Sequence, residues 1–213
     1  MADKISCDNK NYNFYSELNE FIKTITTAKY PWDKFTLFVD IERYAKKNIK
    51  TIKSSNDYKN IINVINQNID KIRDITLNKK LNHQEYDRII NLFMDIDDDL
   101  YLKEKKFAID KIKVNRTKYY YYFLNVARYG SEKDYDITEF EELLIDRYIE
   151  KNQGDKKLEL KSLPYTVFKF LKQVKKINRR KILKELYMNG ISEYFVKQYI
   201  THFPELSDLS ALI

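Results

Sequence analysis

The 213-residue sequence predicts an all-α protein, in which an irregular multi-helix domain precedes a basic, helix-turn-helix-like three-helix module. Three observations predict it. Only three glycines and three prolines occur, too few to punctuate a many-stranded sandwich or barrel. Apolar residues recur three and four positions apart over most of the length. Hydrophobic residues make up 43% of the chain and aromatics 15%, enough to fill a sizeable core.

The first helix is predicted from about Asn13 to Thr26, with Phe14, Leu18, Phe21, Ile22 and Ile25 on one face. Pro31 in "KYPW" stops it, and Trp32 reads as an apolar anchor beside that proline. "KFTLFVDIERYAKKN" fits two patterns. Phe35, Leu37, Val39 and Ile41 alternate as in a strand, whereas Phe35, Phe38 and Val39 share a helical face. Helix is preferred, because no other convincing strand exists to pair with it. "SSNDYKNIINVINQNIDKIRDITLN" follows as a helix carrying Tyr58, Ile61, Ile62, Ile65, Ile69 and Ile72. Helices are expected next at Gln84–Ile96 and Leu100–Val114, the second capped by Asp98 and Asp99, whose charge suits a helix N-terminus.

"RTKYYYYFLNVARYG" then places four tyrosines in succession at 119–122. As a helix over Arg116–Tyr129 each residue turns about 100°, so four in a row cover most of the circumference. They cannot form one stacking stripe. Tyr119, Tyr122, Phe123 and Val126 would share one face, and Tyr120, Tyr121 and Leu124 another with Arg128. The run therefore reads as a central helix rather than a platform for bases. An acidic helix from about Thr138 follows, and Gly154 marks a break near Asn152–Lys157. The domains predicted are 1–155 and 156–213.

Charge is segregated along the chain. The formal net charge is +7, yet residues 156–184 hold eleven Lys/Arg against one acid, Glu159, a local balance of +10. The remainder sums to −3, and residues 131–155 alone to −6. Such segregation points to an anionic partner more than to solubility. Within the basic module Pro164 can open a helix with Val167, Phe168, Leu171 and Val174 inward. Asn178 is the expected N-cap of a second helix with Ile182, Leu183 and Leu186 inward, and Gly190 its left-handed terminator. Ser192 is the expected N-cap of a third, packed through Phe195, Val196, Tyr199, Ile200 and Phe203 before Pro204. Tyr165, Lys169, Lys172 and Lys176 line the outer side of the first helix. Arg180, Lys181, Lys184 and Tyr187 line that of the second. Lysine predominance suits phosphate positioning more than base reading, with strong salt dependence. Reversing Lys172 and Arg180 together to Glu is expected to abolish binding.

In its spacing this module resembles the three-helix repeat of RecX, the family of RecA-recombinase regulators. Asn178, Ile182, Leu186, Asn189-Gly190, Ile191-Ser192, Val196 and Ile200 fall in the register of that repeat. "DDDLYLKEKKFA", with Asp98, Asp99, Phe107 and Ala108, is similar to the family's link between repeats. The helix ending at Gly130, with Tyr122 and Val126, is similar to an earlier repeat. The resemblance covers about 40 residues, 164–203. It implies a non-enzymatic protein that lies on a recombinase–DNA filament.

Other chemistries are less well supplied. Asp40 and Glu42 after an apolar run, with the acids of Asp95–Asp99, sketch a two-metal nuclease site, but such a site needs a sheet to gather its carboxylates. "DIDDD" lacks the glycine and terminal Glu of a calcium loop. His83 and His202 are far apart, and one Cys with two His cannot make a zinc site without carboxylates. No phosphate-binding glycine loop occurs, and no cofactor is expected. Cys7 alone suits a reducing compartment. The N-terminal stretch has no apolar core of a secretory signal, and no run is long enough to span a membrane. The expected partner is DNA or RNA, or a nucleoprotein filament, in the cytoplasm. Docking on an acidic protein is the alternative, and a divergent metal nuclease a third reading.

Overall fold

A computed structural model describes residues 12–27, 35–77, 83–144, 170–172, 174–188 and 192–212, and every regular element among them is helical. The chain divides into two compact units, Met1–Glu104 and Lys105–Ile213. The expected 155/156 boundary lies outside the described residues.

The first unit contains α1 (Phe14–Thr27), α2 (Phe35–Lys53), α3 (Tyr58–Leu77) and α4 (His83–Ile96). Helix α1 packs on α2 and α3, and α4 packs on both of those. All five residues expected to form the inner face of α1 are buried. The segment that fitted both strand and helix is α2. Its buried residues Phe38, Ile41, Ala45 and Ile52 follow helical spacing, so burial selects the 3.6-residue period over alternation. Asn48 interrupts this helix at φ −122°, ψ 21°, and its Nδ2 donates to the Tyr44 carbonyl at 3.0 Å. On α3, Ile61, Ile65, Ile69 and Ile72 are buried, while Tyr58 and Ile62 sit half-buried at the edge of the stripe.

Helix α5 (Asp98–Val114) begins earlier than expected, and its cap differs. Asp97, not Asp98 or Asp99, receives the terminal amide: its Oδ1 accepts from the Asp99 N–H at 3.1 Å. Asp97 is buried and also accepts from Asn66 Nδ2, so it is the buried acid of the run that caps the helix. Helix α6 (Arg116–Glu132) starts at an Asn115 cap whose side chain accepts from the Lys118 N–H. In the tyrosine run Tyr122 is buried and Tyr121 is 47% exposed, with Tyr119 and Tyr120 between these extremes. Phe123, Leu124, Val126, Ala127 and Tyr129 are buried, so α6 is mostly core. Phe123 meets Phe140, from the helical stretch 138–144, at 4.9 Å between ring centroids, and Phe170 at 6.1 Å.

The described C-terminal elements are α7 (Lys176–Met188), α8 (Glu193–His202) and a 3₁₀ helix (Pro204–Leu212), which pack on one another. Ile182, Leu183 and Leu186 of α7 are fully buried, and Val196, Tyr199 and Phe203 of α8 and its end are buried. Ser192 caps α8 as expected, its Oγ accepting from the Tyr194 N–H. No helix among the described residues is long and apolar enough to cross a membrane.

Candidate nucleic-acid interface

The eight residues expected to form a basic face have different fates. Tyr165 and Lys169 lie outside the described residues. Lys172 is exposed in the turn that follows 170–171. Lys176 opens α7 rather than closing the preceding helix, so the expected four-residue outer row breaks between Lys172 and Lys176. Arg180 pairs with Asp208 of the 3₁₀ helix. Lys181 donates to Glu141 Oε2 at 2.7 Å. Lys184 is exposed and has no recorded partner among the described residues, and Tyr187, three positions on, is half-buried.

Asn178 is not a cap. It lies within the first turn of α7, where its Nδ2 donates to Glu141 Oε1 at 2.9 Å and its Oδ1 accepts from Ser131 Oγ. Glu141 is only 2% exposed, so Asn178 and Lys181 together supply the donors that a buried carboxylate requires. The hydrogen bond to Glu141, opposed by slight desolvation, holds the Lys181 ammonium above its ordinary pKa. Lys175 pairs with Asp134, and its own N–H donates to Ser131 Oγ at 2.7 Å. Arg179 Nη1 meets Glu205 at 2.7 Å, its Nε donates to the Leu171 carbonyl, and its guanidinium lies 4.9 Å from the Phe203 ring centroid.

Four cations of the basic segment, Lys175, Arg179, Arg180 and Lys181, are thus matched by carboxylates inside the second unit. Two of those carboxylates come from the acidic stretch just before the basic one. The juxtaposition of a −6 segment and a +10 segment was the available signal for such pairing. A test by charge reversal is better placed on Lys172 and Lys184 than on Arg180, whose guanidinium also anchors the 3₁₀ helix.

Three of the acids that sketched a nuclease site are paired with cations in the first unit. Asp40 pairs with Arg43, Asp98 with Lys53, and Glu42 with Lys46 and Arg88. No group of three or more His, Cys, Asp or Glu side chains placed to hold a metal occurs among the described residues. A buried pair that the sequence did not reveal joins Arg73 to Glu104, through Nε at 3.2 Å from Oε2 and through Nη2 to Oε1. No family model, no curated protein and no solved structure matches the chain.

Proposed function

We propose that this chain is a non-enzymatic, cytoplasmic regulatory protein that binds nucleic acid, or a nucleoprotein complex, through outward cations of its C-terminal helices. A recombinase filament bound in the manner of RecX is the most specific form of this reading. The observation that carries it is the run at 156–184, eleven bases against one acid, in which Lys172 and Lys184 are exposed. In this reading Lys172 and Lys184 neutralise phosphates, joined by Lys169 and Lys176. Tyr187, with Tyr165, offers ring surface to a base. Arg180 and Lys181 keep about half of their side-chain surface exposed while paired, which leaves guanidinium and ammonium edges for a phosphate. Helices α7 and α8 would form the helix-turn-helix.

Fluorescence anisotropy with single-stranded and duplex DNA and RNA across a salt series tests this. Binding that weakens steeply with salt, and is lost in Lys172→Glu/Lys184→Glu, is the expected outcome. No binding at low salt overturns it.

Docking on an acidic protein is the second reading, favoured by Met188 and Tyr194, which are 73% and 64% exposed on α7 and α8. Apolar and aromatic side chains of this kind serve protein interfaces better than phosphate contacts. Oligonucleotide competition separates the two readings: a nucleic-acid reader releases its target, whereas a protein docker retains it.

A further inference from the structure

We infer that the first unit carries a binding pocket for a small organic ammonium ion. A cavity of about 330 Å³ opens where the start of α1, the second half of α2 and the α2–α3 turn meet. This is the lower end of the size range of small-molecule sites. Among the described residues its aromatic lining is Tyr12, Phe14, Tyr15 and Tyr44, and its one charged lining residue is Asp57. Three of the rings are in contact: Tyr12 lies 4.3 Å from Tyr44, and Phe14 lies 5.8 Å from Tyr44 on a nearly parallel plane. Tyr12, Tyr15 and Tyr44 each keep part of their surface exposed.

The sign of the pocket is opposite to that of the protein. The chain carries 39 Lys/Arg, yet none of the lining residues among those described is basic. Aromatic faces are the negative part of a ring quadrupole and attract cations, and Asp57 adds a full charge of the same sign. Two of the neutral polar groups of the lining have other duties. Asn13 Oδ1 accepts from the Ser16 N–H at 3.0 Å, capping α1, and Ser55 Oγ donates to the Ile52 carbonyl at 2.8 Å. Rings together with a carboxylate are the set that suits an alkylated ammonium.

Asp57 has no competing structural role. It is exposed just before α3, a position where an aspartate ordinarily caps the helix with its side chain. Only its backbone carbonyl serves, accepting from the Ile61 N–H at 2.9 Å. Its carboxylate has no recorded hydrogen bond or ion pair among the described residues.

Calorimetric titration of the intact protein with choline, and with its uncharged carbon isostere 3,3-dimethylbutan-1-ol, tests the inference. Saturable choline binding is expected, with the isostere weaker by about tenfold. Asp57→Asn should weaken choline several-fold while leaving the isostere unchanged, and Tyr44→Leu should abolish both. Absence of saturable choline binding, equal binding of the two compounds, or choline affinity untouched by Asp57→Asn would each overturn the assignment. Asp57 is exposed, so that variant still decides the matter if Tyr44→Leu fails to fold. None of these outcomes depends on the nucleic-acid reading, whose residues lie in the other unit.

Discussion

Glu104 is fully buried, and Arg73 is what makes its charge tolerable there. Burial nevertheless pushes the Glu104 carboxyl above its ordinary pKa, since the guanidinium offsets only part of the desolvation. For Arg73 burial also disfavours the charge, but the bond to Glu104 more than compensates and raises its pKa. Replacing Arg73 by Ala strands a carboxylate in the interior and should cost about 3–5 kcal/mol in urea denaturation. Arg73→Met with Glu104→Leu should recover most of that loss, because it removes both charges and keeps the volume. Glu42 behaves oppositely to Glu104. Burial opposes its charge, yet hydrogen bonds from Arg88 and Lys46 prevail and hold its pKa below the ordinary value. A depressed folded-state pKa gives stability that is complete above the unfolded value and lost as pH falls through the folded one. Glu42→Gln should therefore lower the melting temperature at neutral pH, and the gap to wild type should close on acidification. A gap independent of pH would assign the effect to packing. Glu104, its pKa raised, contributes in the reverse sense and favours the fold more as pH falls.

Helix α7 shows how two like residues on one element take different work. Lys181 reaches the buried Glu141, whereas Lys184, one turn on, is exposed. Lys181→Met should cost about 1–3 kcal/mol, discounted for the exposure of the lysine itself, because among the described residues Glu141 then keeps only Asn178 as a side-chain donor. Lys184→Met should stay within about 0.5 kcal/mol in the same denaturation series. Periodicity made the helices legible, since Leu18 or Ile182 must face inward wherever the neighbouring elements lie. The run beginning at Phe35 was legible only by elimination, because its short-range pattern satisfies both periods. Caps were read less well: Asp97 and Asn178 sit among other polar residues, and burial decides which of them points inward. Ser192 was read correctly because its hydroxyl needs only its own helix end. Partners such as Glu141 for Lys181 are 40 positions away and are chosen by packing, which no local spacing encodes.

Across the whole molecule the same accounting changes what +7 means. Much of the basic segment stabilises the unit that contains it, so the number of phosphates engaged should be small. Each phosphate contact on duplex DNA contributes about −0.9 to the slope of log K against log salt. Lys172→Glu/Lys184→Glu should flatten that slope by about two, if residual binding remains measurable. An unchanged slope would place the contacts elsewhere. The 3₁₀ helix Pro204–Leu212 has its own consequence for anyone trimming the C-terminus. Its Glu205 and Asp208 hold Arg179 and Arg180, and its Leu206 and Leu209 are buried. A chain cut before Pro204 would lose apolar cover and leave Arg179 and Arg180 without the carboxylates that now pair with them. Greater retention of such a fragment on heparin or DNA would report an uncovered clamp, and would overstate the affinity of the intact protein.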